Sequence, residues 1–335
     1  MPGQRVVTLE RHIMEQERRF PAATGEFSNL LTQVCLAAKI IRREVTRAGL
    51  VDIIGSLGAV NATGDVQQKL DVFAHETIIR ALDHTGQLYA VASEESETIV
   101  PVPDHHPRGK YVVNFDPLDG SSNIDVGVSI GTTFSILPRV TQEGEPSERD
   151  CLQPGARQVA AGYVMYGSST VLVYTTGQGV HQFIYDASVG EFLLVQENVR
   201  VPARGQIYSV NEGNSERWED GIKRYIAWLK EEDAATNRPY SQRYVGTMVA
   251  DVHRTLFKGG IFLYPGDRKN PRGKLRYLYE ASPLAFLAEQ AGGAASDGTR
   301  RILDIQPITL HERTPLFIGS VEDVRIAEEF VQGKR

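Results

Sequence analysis

Cysteine is scarce in this sequence, and that scarcity excludes some classes of protein. The chain has 335 residues and only two cysteines, Cys35 and Cys151, which are far apart and form no C-x-x-C pair. They cannot make the dense disulfide framework of a small secreted domain. Cys35 falls on the apolar face of a predicted helix. We therefore interpret both residues as buried or incidental thiols in a reducing compartment, and expect a cytoplasmic protein.

Long apolar runs and clusters of basic residues are also missing. No run approaches 18 apolar residues, and residues 1–20 lack the apolar core of a secretory signal. No block of Lys or Arg resembles a nucleic-acid or membrane patch, so we expect neither partner. With 36 Lys and Arg against 42 Asp and Glu, the net charge is −6. Binding an anionic substrate would therefore require bound metals and a few placed cations.

The remaining composition, 41% hydrophobic and 23% charged, is that of a globular protein with a sizeable core. Residues 1–27 are expected to be irregular or partly helical. Apolar periodicity predicts helices over 28–49, 72–82, 218–231 and 283–291. It predicts strands near 88–92, 111–115, 126–137, 261–264 and 275–279, and a hairpin over 160–186. Interleaved helices and strands indicate a layered α/β protein. The polar stretch 197–206 is the best boundary, which gives domains 1–200 and 201–335.

The most informative motif is the segment Asp116-Pro117-Leu118-Asp119-Gly120-Ser121-Ser122, which follows a predicted buried strand. Carboxylates at a strand end are hard oxygen ligands that suit Mg²⁺ or Mn²⁺. The Gly-Ser-Ser turn offers backbone N–H groups and hydroxyls to a phosphate. Asp-Pro and Asp-Gly are also ordinary turn dipeptides, so the motif alone leaves both interpretations open.

Acidic residues recur at the ends of other predicted strands. Glu94 and Glu95 follow the apolar run 88–92, and Glu280 follows the predicted strand 275–279. In open α/β sheets, ligands collect outside the carboxyl ends of the strands. The recurrence favours metal-assisted chemistry on a phosphate.

Two further acids, Asp65 and Asp71, precede or open the helix predicted over 72–82. An acid in a first helical turn is favoured by the helix dipole, and this structural role is compatible with a catalytic one. Residues that can hold a phosphate or a sugar hydroxyl lie in the second half. They are Asn211, Arg243, Tyr244, Tyr264, Lys274 and Arg276.

Together these motifs resemble the site of the metal-dependent, lithium-sensitive phosphatase superfamily, and the longer stretches resemble class I fructose-1,6-bisphosphatases. The stretches that carry this similarity are residues 108–113, 160–163, 211–213, 243–255 and 259–265. The similarity extends from about Thr24 to the C-terminus. It implies a layered α-β-α-β-α sandwich of two α/β domains. It also implies hydrolysis of fructose 1,6-bisphosphate to fructose 6-phosphate and phosphate, as in gluconeogenesis.

The resemblance implies two or three divalent cations per subunit, Mg²⁺ with Mn²⁺ or Zn²⁺ as alternatives. The implied ligands of two ions are Glu94, Asp116, Asp119, Glu280 and the carbonyl of Leu118. Asp65 would serve a third, looser position together with Glu94. Asp71 and Glu95 would orient and deprotonate the attacking water.

The resemblance also divides the substrate contacts between two phosphates. Gly120, Ser121 and Ser122 would hold the 1-phosphate, and Arg276 would lie near it. The implied contacts of the 6-phosphate are Asn211, Tyr244, Tyr264 and Lys274. Arg243 would reach a neighbouring subunit's site, so we expect a homo-oligomer, a homotetramer by resemblance.

Family members are inhibited by AMP at a separate N-terminal site, and the matching positions here imply the same allosteric control. They are Thr24, Gly25, Glu26, Ser28, Lys110 and Tyr111. Two positions depart from the family pattern. The arginine contact to AMP falls at or beside Pro138, next to Arg139, and Asn214 stands where many vertebrate members have tyrosine beside the 6-phosphate.

Two other functions remain as alternatives at this point. One is a phosphatase of the same superfamily that acts on inositol phosphates or a 3′-phosphoadenosine nucleotide; the second-phosphate residues Tyr264, Lys274 and Arg276 favour a sugar bisphosphate instead. The other is a non-catalytic sensor of AMP or metal, which should have lost an acid from the site, whereas every acid named above is present. A dinucleotide-binding dehydrogenase is disfavoured because no G-x-G-x-x-G opens a helix after a strand.

Overall fold

The computed structural model describes residues 6–18, 26–47, 56–60 and 66–335. The α-helices are α1 (Leu9–Glu17), α2 (Glu26–Val45), α3 (Lys69–Leu82), α4 (Glu148–Cys151), α5 (Asp220–Lys230), α6 (Met248–Lys258), α7 (Ser282–Gln290) and α8 (Val321–Val331). The strands up to residue 200 are β1 (Ser56–Val60), β2 (Val66–Gln68), β3 (Leu88–Ser93), β4 (Val100–Pro101), β5 (Tyr111–Asp119), β6 (Ile130–Pro138), β7 (Ala160–Tyr166), β8 (Thr170–Thr175), β9 (Val180–Asp186) and β10 (Glu191–Gln196). Those that follow are β11 (Ile207–Ser209), β12 (Ser241–Gln242), β13 (Ile261–Tyr264), β14 (Leu275–Arg276), β15 (Ala294–Ser296), β16 (Arg313–Thr314) and β17 (Leu316–Gly319).

The larger sheet has eight strands in the order β10-β9-β8-β7-β6-β5-β3-β4. Its strands pair antiparallel, except that β3 and β5 are parallel and so end at the same edge. The smaller sheet has five strands in the order β12-β11-β13-β17-β15. Short pairs form between β1 and β2 and between β14 and β16.

Three buried clusters stack these elements into five layers. Alternate residues of a strand face opposite sides of a sheet, and along β8 Val171 and Val173 pack toward α6 and α7 while Leu172 and Tyr174 pack toward α1, α2 and α3. Helices α6 and α7 also cover one face of the smaller sheet, and α5 and α8 cover the other. The order of layers is therefore α-β-α-β-α, as the resemblance implied.

The four predicted helices are confirmed as α2, α3, α5 and α7, and the predicted strands near 88–92, 111–115 and 261–264 are confirmed as β3, β5 and β13. The hairpin over 160–186 is confirmed and continues into β10. Helix α1 lies in the part expected to be irregular or partly helical. The predictions missed α6 and α8, whose apolar faces are buried between or against the sheets.

Two predicted strands were placed wrongly at one end. The strand predicted over 126–137 begins only at Ile130, because Ser121–Val126 forms a 3₁₀-helix bounded by Gly120 and Gly127, both with positive φ. The strand predicted over 275–279 stops at Arg276, and the chain continues as a π-helical turn, Tyr277–Ala281, that runs into α7. Both differences lie at the cavity described below. Within the described ranges, every helix is too short or too polar to cross a lipid bilayer.

Candidate active site

A β-bulge at the end of β5 brings two aspartates to the same side of the sheet. In a regular strand, residues three apart point to opposite faces. Here Asp116 pairs with Thr133 and Asp119 pairs with Gly131, so three steps on β5 oppose two on β6. The extra residue re-aims the later side chain, as bulges commonly do beside functional sites. The bulge is held by Thr132, whose hydroxyl donates to the carbonyl of Pro117 at 2.7 Å.

Glu280 completes a buried group of three acids from the two halves of the chain. Oxygen atoms of Asp116, Asp119 and Glu280 all lie within 4.8 Å of one another, and all three residues are buried. Glu280 lies in the π-helical turn rather than at a strand end, and this turn is held where the Thr133 hydroxyl donates to the carbonyl of Tyr279. Single π-turns of this kind often occur at functional sites.

Backbone N–H groups hold each of the three acids in place. Asp116 Oδ1 accepts from the N–H of Leu118 at 2.9 Å, and Asp119 Oδ2 accepts from the N–H of Val249 at 2.7 Å. Glu280 Oε2 accepts from the N–H of Arg276. The bond to Val249 joins the acidic loop to the first turn of α6, where the positive end of the helix dipole favours an anion.

Burial and repulsion between the carboxylates disfavour the ionised forms of these acids and so raise their pKa values. Burial raises the pKa of Asp116 well above its usual value, and the nearby carboxylates of Glu94, Asp119 and Glu280 raise it further. Burial raises the pKa of Asp119 to about 7 and that of Glu280 to about 8, although Arg276 opposes the shift in Glu280. A divalent cation would relieve the repulsion between the carboxylates. The residues present therefore fit a metal with oxygen ligands, such as Mg²⁺.

Arg276 is the cation that lies against this acidic group. Its Nη2 is 3.0 Å from Oε1 of Glu94, and each of the two side chains is only 12% exposed. Glu94 follows β3 and Arg276 ends β14, so this ion pair also joins the two halves of the chain.

Asp71 and Glu95 lie at the same cavity as the three acids. Asp71 is buried in the first turn of α3. Glu95 follows β3, and its N–H donates to Ser93 Oγ at 3.3 Å, while His75 Nδ1 lies 2.9 Å from the same oxygen. The turn after β3 is thus fastened to α3.

The Gly-Ser-Ser turn lies beside the acids and is fixed against α6. Gly120 has φ +78°, and a Cβ there would come within 2.8 Å of the Thr247 side chain, so glycine suits both the backbone and the space. Asn123 Nδ2 donates to Thr247 Oγ1 at 2.8 Å. Gly120, Ser121 and Ser122 therefore line the cavity from a turn that these contacts hold against the start of α6.

One cavity of about 440 Å³ collects most of the predicted site residues. The predicted residues that line it are Asp71, Glu94, Glu95, Asp116, Leu118, Asp119, Gly120, Ser121, Ser122, Tyr244, Tyr264, Lys274, Arg276 and Glu280. Carboxylates are concentrated at one part of this lining, whereas Tyr244, Tyr264 and Lys274 provide neutral and cationic donors. A doubly phosphorylated molecule could bind cations held by the carboxylates through one phosphate. Its other phosphate could accept hydrogen bonds from the donors.

Asn211 lies in a small adjoining pocket that shares Tyr264 and Lys274 with the large cavity. Its Oδ1 accepts from the N–H of Gly213 at 3.1 Å and caps the 3₁₀-helix Glu212–Arg217. Asn214, the departure from the family pattern, lines the same pocket and accepts from Arg217.

Arg243 is not among the residues that line the cavity. It is exposed, and its Nη1 donates to the carbonyl of Gln242 at 2.7 Å.

The predicted AMP positions are only partly described. Thr24, Gly25 and Asp65, the last a predicted metal ligand, lie outside the described residues, and of Glu26 only the backbone is described, as the start of α2. Ser28 Oγ donates to Glu17 Oε2 at 3.0 Å. Tyr111 meets Phe27 edge to face, with ring centroids 6.0 Å apart, so the start of α2 contacts the start of β5.

The sequence left open whether Arg139 or Pro138 corresponds to the family's arginine contact to AMP. Arg139 is next to Lys110 in the structure. Its N–H donates to the carbonyl of Lys110 at 2.8 Å. Its guanidinium lies 4.8 Å from the ring centroid of Tyr89.

Asp251 and the backbone N–H of Val249 contribute to the site, although no motif in the sequence indicated a role for either. Asp251 is fully buried, and its carboxylate accepts from the N–H groups of Val245 and Gly246 at 3.0 Å, which shapes the turn before α6. Asp251 lies within residues 243–255, which carried part of the similarity. An acid in the first turn of a helix was the sequence feature that could have indicated its role.

Two family models match this chain almost end to end. The model described as "Fructose-1-6-bisphosphatase, N-terminal domain" matches residues 7–197, and "Fructose-1-6-bisphosphatase, C-terminal domain" matches residues 201–332.

Two relatives and a solved structure agree with these matches. A class 1 fructose-1,6-bisphosphatase of Chloroherpeton thalassium is 59% identical over 331 residues, covering 98% of this chain and 95% of the relative. One of Chlorobium chlorochromatii is 58% identical over 331 residues, covering 98% and 99%. The crystal structure of Leishmania major fructose-1,6-bisphosphatase in holo form superposes with a TM-score of 0.91 at 39% identity, covering 98% of this chain and 99% of that one.

Proposed function

This chain belongs to the fructose-1,6-bisphosphatase family, and we propose that it hydrolyses fructose 1,6-bisphosphate to fructose 6-phosphate and phosphate. It is a phosphoric monoester hydrolase. The observation that carries the proposal is the meeting of Glu280 with Asp116 and Asp119 within 4.8 Å, in a cavity that Tyr264 and Lys274 also line.

The acids would hold the activating cations. We propose Mg²⁺, with Mn²⁺ or Zn²⁺ as substitutes, on Glu94, Asp116, Asp119, Glu280 and the carbonyl of Leu118, with Asp65 and Glu94 serving a third position. When bound, such cations lower the pKa of water and neutralise the leaving oxygen. The raised pKa values of Asp119 and Glu280 support this assignment, because an unneutralised buried carboxylate is unfavourable.

Asp71 and Glu95 would orient the attacking water and accept its proton. Both line the cavity but neither belongs to the group of three acids whose oxygens converge. A general base must keep a lone pair for the proton, so acids outside that group suit the role. Gly120, Ser121 and Ser122 would hold the 1-phosphate through backbone N–H groups and hydroxyls.

The non-reacting phosphate would be bound by Asn211, Tyr244, Tyr264 and Lys274. Binding energy from a remote group can position the reacting end. Arg276 would lie near the 1-phosphate, because a phosphate is a strong hydrogen-bonding partner for a guanidinium.

Regulation and assembly complete the proposal. We propose that AMP inhibits the enzyme at the start of α2, near Ser28, Lys110 and Tyr111, with Arg139 as the family's arginine contact. The enzyme would be a homotetramer with Arg243 serving a neighbour's site, divided near residue 200 into a metal-bearing and a substrate domain. We place it in the cytoplasm, where thiols such as the buried Cys35 and Cys151 persist, and in gluconeogenesis.

A comparison of substrates tests the activity. Phosphate release in Mg²⁺ is measured with fructose 1,6-bisphosphate, inositol 1-phosphate and 3′-phosphoadenosine 5′-phosphate, with EDTA as the metal-free control. We expect fructose 1,6-bisphosphate to give the highest kcat/KM by at least about a hundredfold, because inositol 1-phosphate has no second phosphate for Lys274 and the nucleotide adds an adenine base to its two phosphates. Preference for the inositol or nucleotide ester would contradict the proposal, and absence of Mg²⁺-dependent release from all three would favour a non-catalytic sensor.

A further inference from the structure

A second group of metal-ligating side chains lies where helix α1 packs on the larger sheet, on strands remote from the acidic cavity. Its members are His12 in α1, His181 in β9 and Glu197, which follows β10. One ligand atom from each lies within 4.8 Å of the other two. A helix and two adjacent strands thus converge on one point.

The two histidines are buried, whereas the glutamate is open to solvent. His12 is 1% and His181 is 3% exposed, and their ring centroids are 4.4 Å apart. The side chain of Glu197 is 49% exposed, and its Oε1 lies 3.6 Å from Nε2 of His12. The site therefore has a buried nitrogen side and a solvent-facing carboxylate side, which gives an ion a route of entry.

A tyrosine fixes the orientation of the His12 ring. Tyr174 lies opposite His181 in the β8–β9 pairing, and its hydroxyl is 2.8 Å from Nδ1 of His12. A hydrogen bond at one ring nitrogen fixes the orientation of the ring and directs the other nitrogen toward a ligand; metal binding through Nε2 requires that Nδ1–H donate to the Tyr174 hydroxyl. Here Nδ1 is directed to Tyr174 and Nε2 toward Glu197. This is the arrangement that supporting residues give to metal-bound histidines.

We propose that His12, His181 and Glu197 bind a zinc-type divalent transition-metal ion that fastens α1 to the larger sheet. Two imidazoles and a carboxylate are ligands that suit Zn²⁺ and disfavour Mg²⁺, which prefers oxygen. Gln16 is the fourth candidate, because its side-chain amide lies 3.3 Å from Nε2 of His12 and can turn its oxygen to the ion.

The distances allow this assignment with small side-chain movements. Zn–N bonds of about 2.0–2.1 Å place tetrahedral ligand atoms about 3.3 Å apart. The present separations of up to 4.8 Å require pairs of ligand atoms to approach one another by up to about 1.5 Å. His12 Nε2 and Glu197 Oε1 are already 3.6 Å apart, and the exposed Glu197 side chain can adjust further by changing rotamer.

The competing explanation is a metal-free cluster in which a protonated His12 pairs with Glu197. Binding of Co²⁺ distinguishes the metal site from this metal-free cluster. Cobalt in a four-coordinate site with nitrogen ligands absorbs strongly in the visible range, whereas six-coordinate cobalt bound only by oxygen absorbs weakly. The spectrum therefore distinguishes this site from the carboxylates of the active site, even if both take up the ion.

The experiment is a Co²⁺ titration of the full chain, repeated on Asp119→Asn protein, in which binding at the active site is weakened. We expect one equivalent per chain to give the intense band in both. The band should be absent in His12→Gln and His181→Gln, and Glu197→Gln should weaken Co²⁺ binding by about tenfold or more. His84→Gln, at an exposed histidine, is the matched control and should keep the band.

Glu197→Gln decides the test if a buried histidine variant fails to fold, because Glu197 is exposed. Zn²⁺ should raise the Tm of the wild type more than that of Glu197→Gln, since a ligand that binds only the folded state stabilises it. Mg²⁺-dependent phosphatase activity should be unchanged in Glu197→Gln. A wild-type titration without the intense band, or a band that persists unchanged in Glu197→Gln and His12→Gln, would overturn the proposal.

Discussion

Arg276 Nη2 lies 3.0 Å from Glu94 Oε1, and this ion pair joins the residue after β3 to the end of β14. The same arginine opposes the rise in pKa that burial and neighbouring carboxylates cause at Asp116 and Glu280. The guanidinium of Arg276 thus faces several buried acids at once. Because one guanidinium cannot neutralise them all, the carboxylates still repel one another, and divalent cations bound there would relieve this repulsion.

Asp119→Ala should abolish nearly all turnover while the fold is retained, because the cations lose a shared ligand. Val249 N–H also loses its acceptor, so stability should fall by no more than about 3 kcal/mol. Phosphate release measures the first effect, and circular dichroism with urea unfolding measures the second. Asp125→Ala, at an exposed acid of the same loop, is the control. Substantial Mg²⁺-dependent turnover by the Asp119→Ala protein would contradict the ligand assignment.

The metal-free protein should lose stability as the pH rises from about 4 to about 8. The folded-state pKa values of Asp119, about 7, and Glu280, about 8, lie above the ordinary values of 3.8 and 4.5. In this window the folded state holds protons that the unfolded chain has released, so the free energy of unfolding falls by up to about 1.4 kcal/mol per pH unit for each group. Urea unfolding in EDTA at a series of pH values measures this change in the free energy of unfolding.

Two comparisons make the pH test specific. Asp119→Asn should flatten part of the slope, and saturating Mg²⁺ should remove or reverse it, because the cation replaces the protons. A stability that is independent of pH in EDTA would contradict the raised pKa values.

Glu95→Gln should lower kcat by about 10²–10⁴, the range for loss of a general base. The substituted amide keeps the shape of the side chain, so KM and the Mg²⁺ concentration for half-maximal activity should change little. Steady-state kinetics at several Mg²⁺ concentrations measure these quantities. Glu97→Gln, at an exposed position two residues on, should behave as the wild type. A shift in Mg²⁺ dependence with kcat preserved would instead make Glu95 a metal ligand.

Lys274→Ala should raise KM for fructose 1,6-bisphosphate by about tenfold or more, with little change in kcat. Its charge would contact the non-reacting phosphate, and hydrogen bonds to charged groups contribute about 1.5–3 kcal/mol. Initial rates over a wide substrate range separate the two constants. Lys269→Ala, at another exposed lysine, is the matched control. An unchanged KM would remove Lys274 from the 6-phosphate site.

AMP should inhibit the wild-type enzyme, and Lys110→Ala should weaken that inhibition by about tenfold or more without changing kcat. A lysine that contacts the nucleotide phosphate supplies a charge-assisted hydrogen bond that the alanine variant lacks. Titration of AMP against activity at fixed substrate measures the effect, and the exposed Lys258, changed to alanine, is the control. A flat response up to millimolar AMP would remove the allosteric site altogether.

The sequence predicted elements correctly where a short local pattern determines them. The apolar spacing over 28–45 and 72–82 is enough to specify helices, and the apolar runs separated by Gly-containing turns over 160–186 are enough to specify a hairpin. It failed at 275–279, because the residues of a π-helical turn have no distinctive spacing. It also missed α6 and α8, although each has an amphipathic pattern with its apolar residues buried on one face.

By itself, the sequence determined which chemical groups were available: acids at strand ends, a Gly-Ser-Ser turn, and a set of phosphate-binding side chains in the second half. Only the tertiary structure decided that they meet. A bulge turned Asp119 to the same side as Asp116, a π-helical turn brought in Glu280 from more than 150 residues away, and the packing of α1 placed His12 against His181. These results depend on how strands register and layers stack, and such long-range relationships leave no local pattern along the chain.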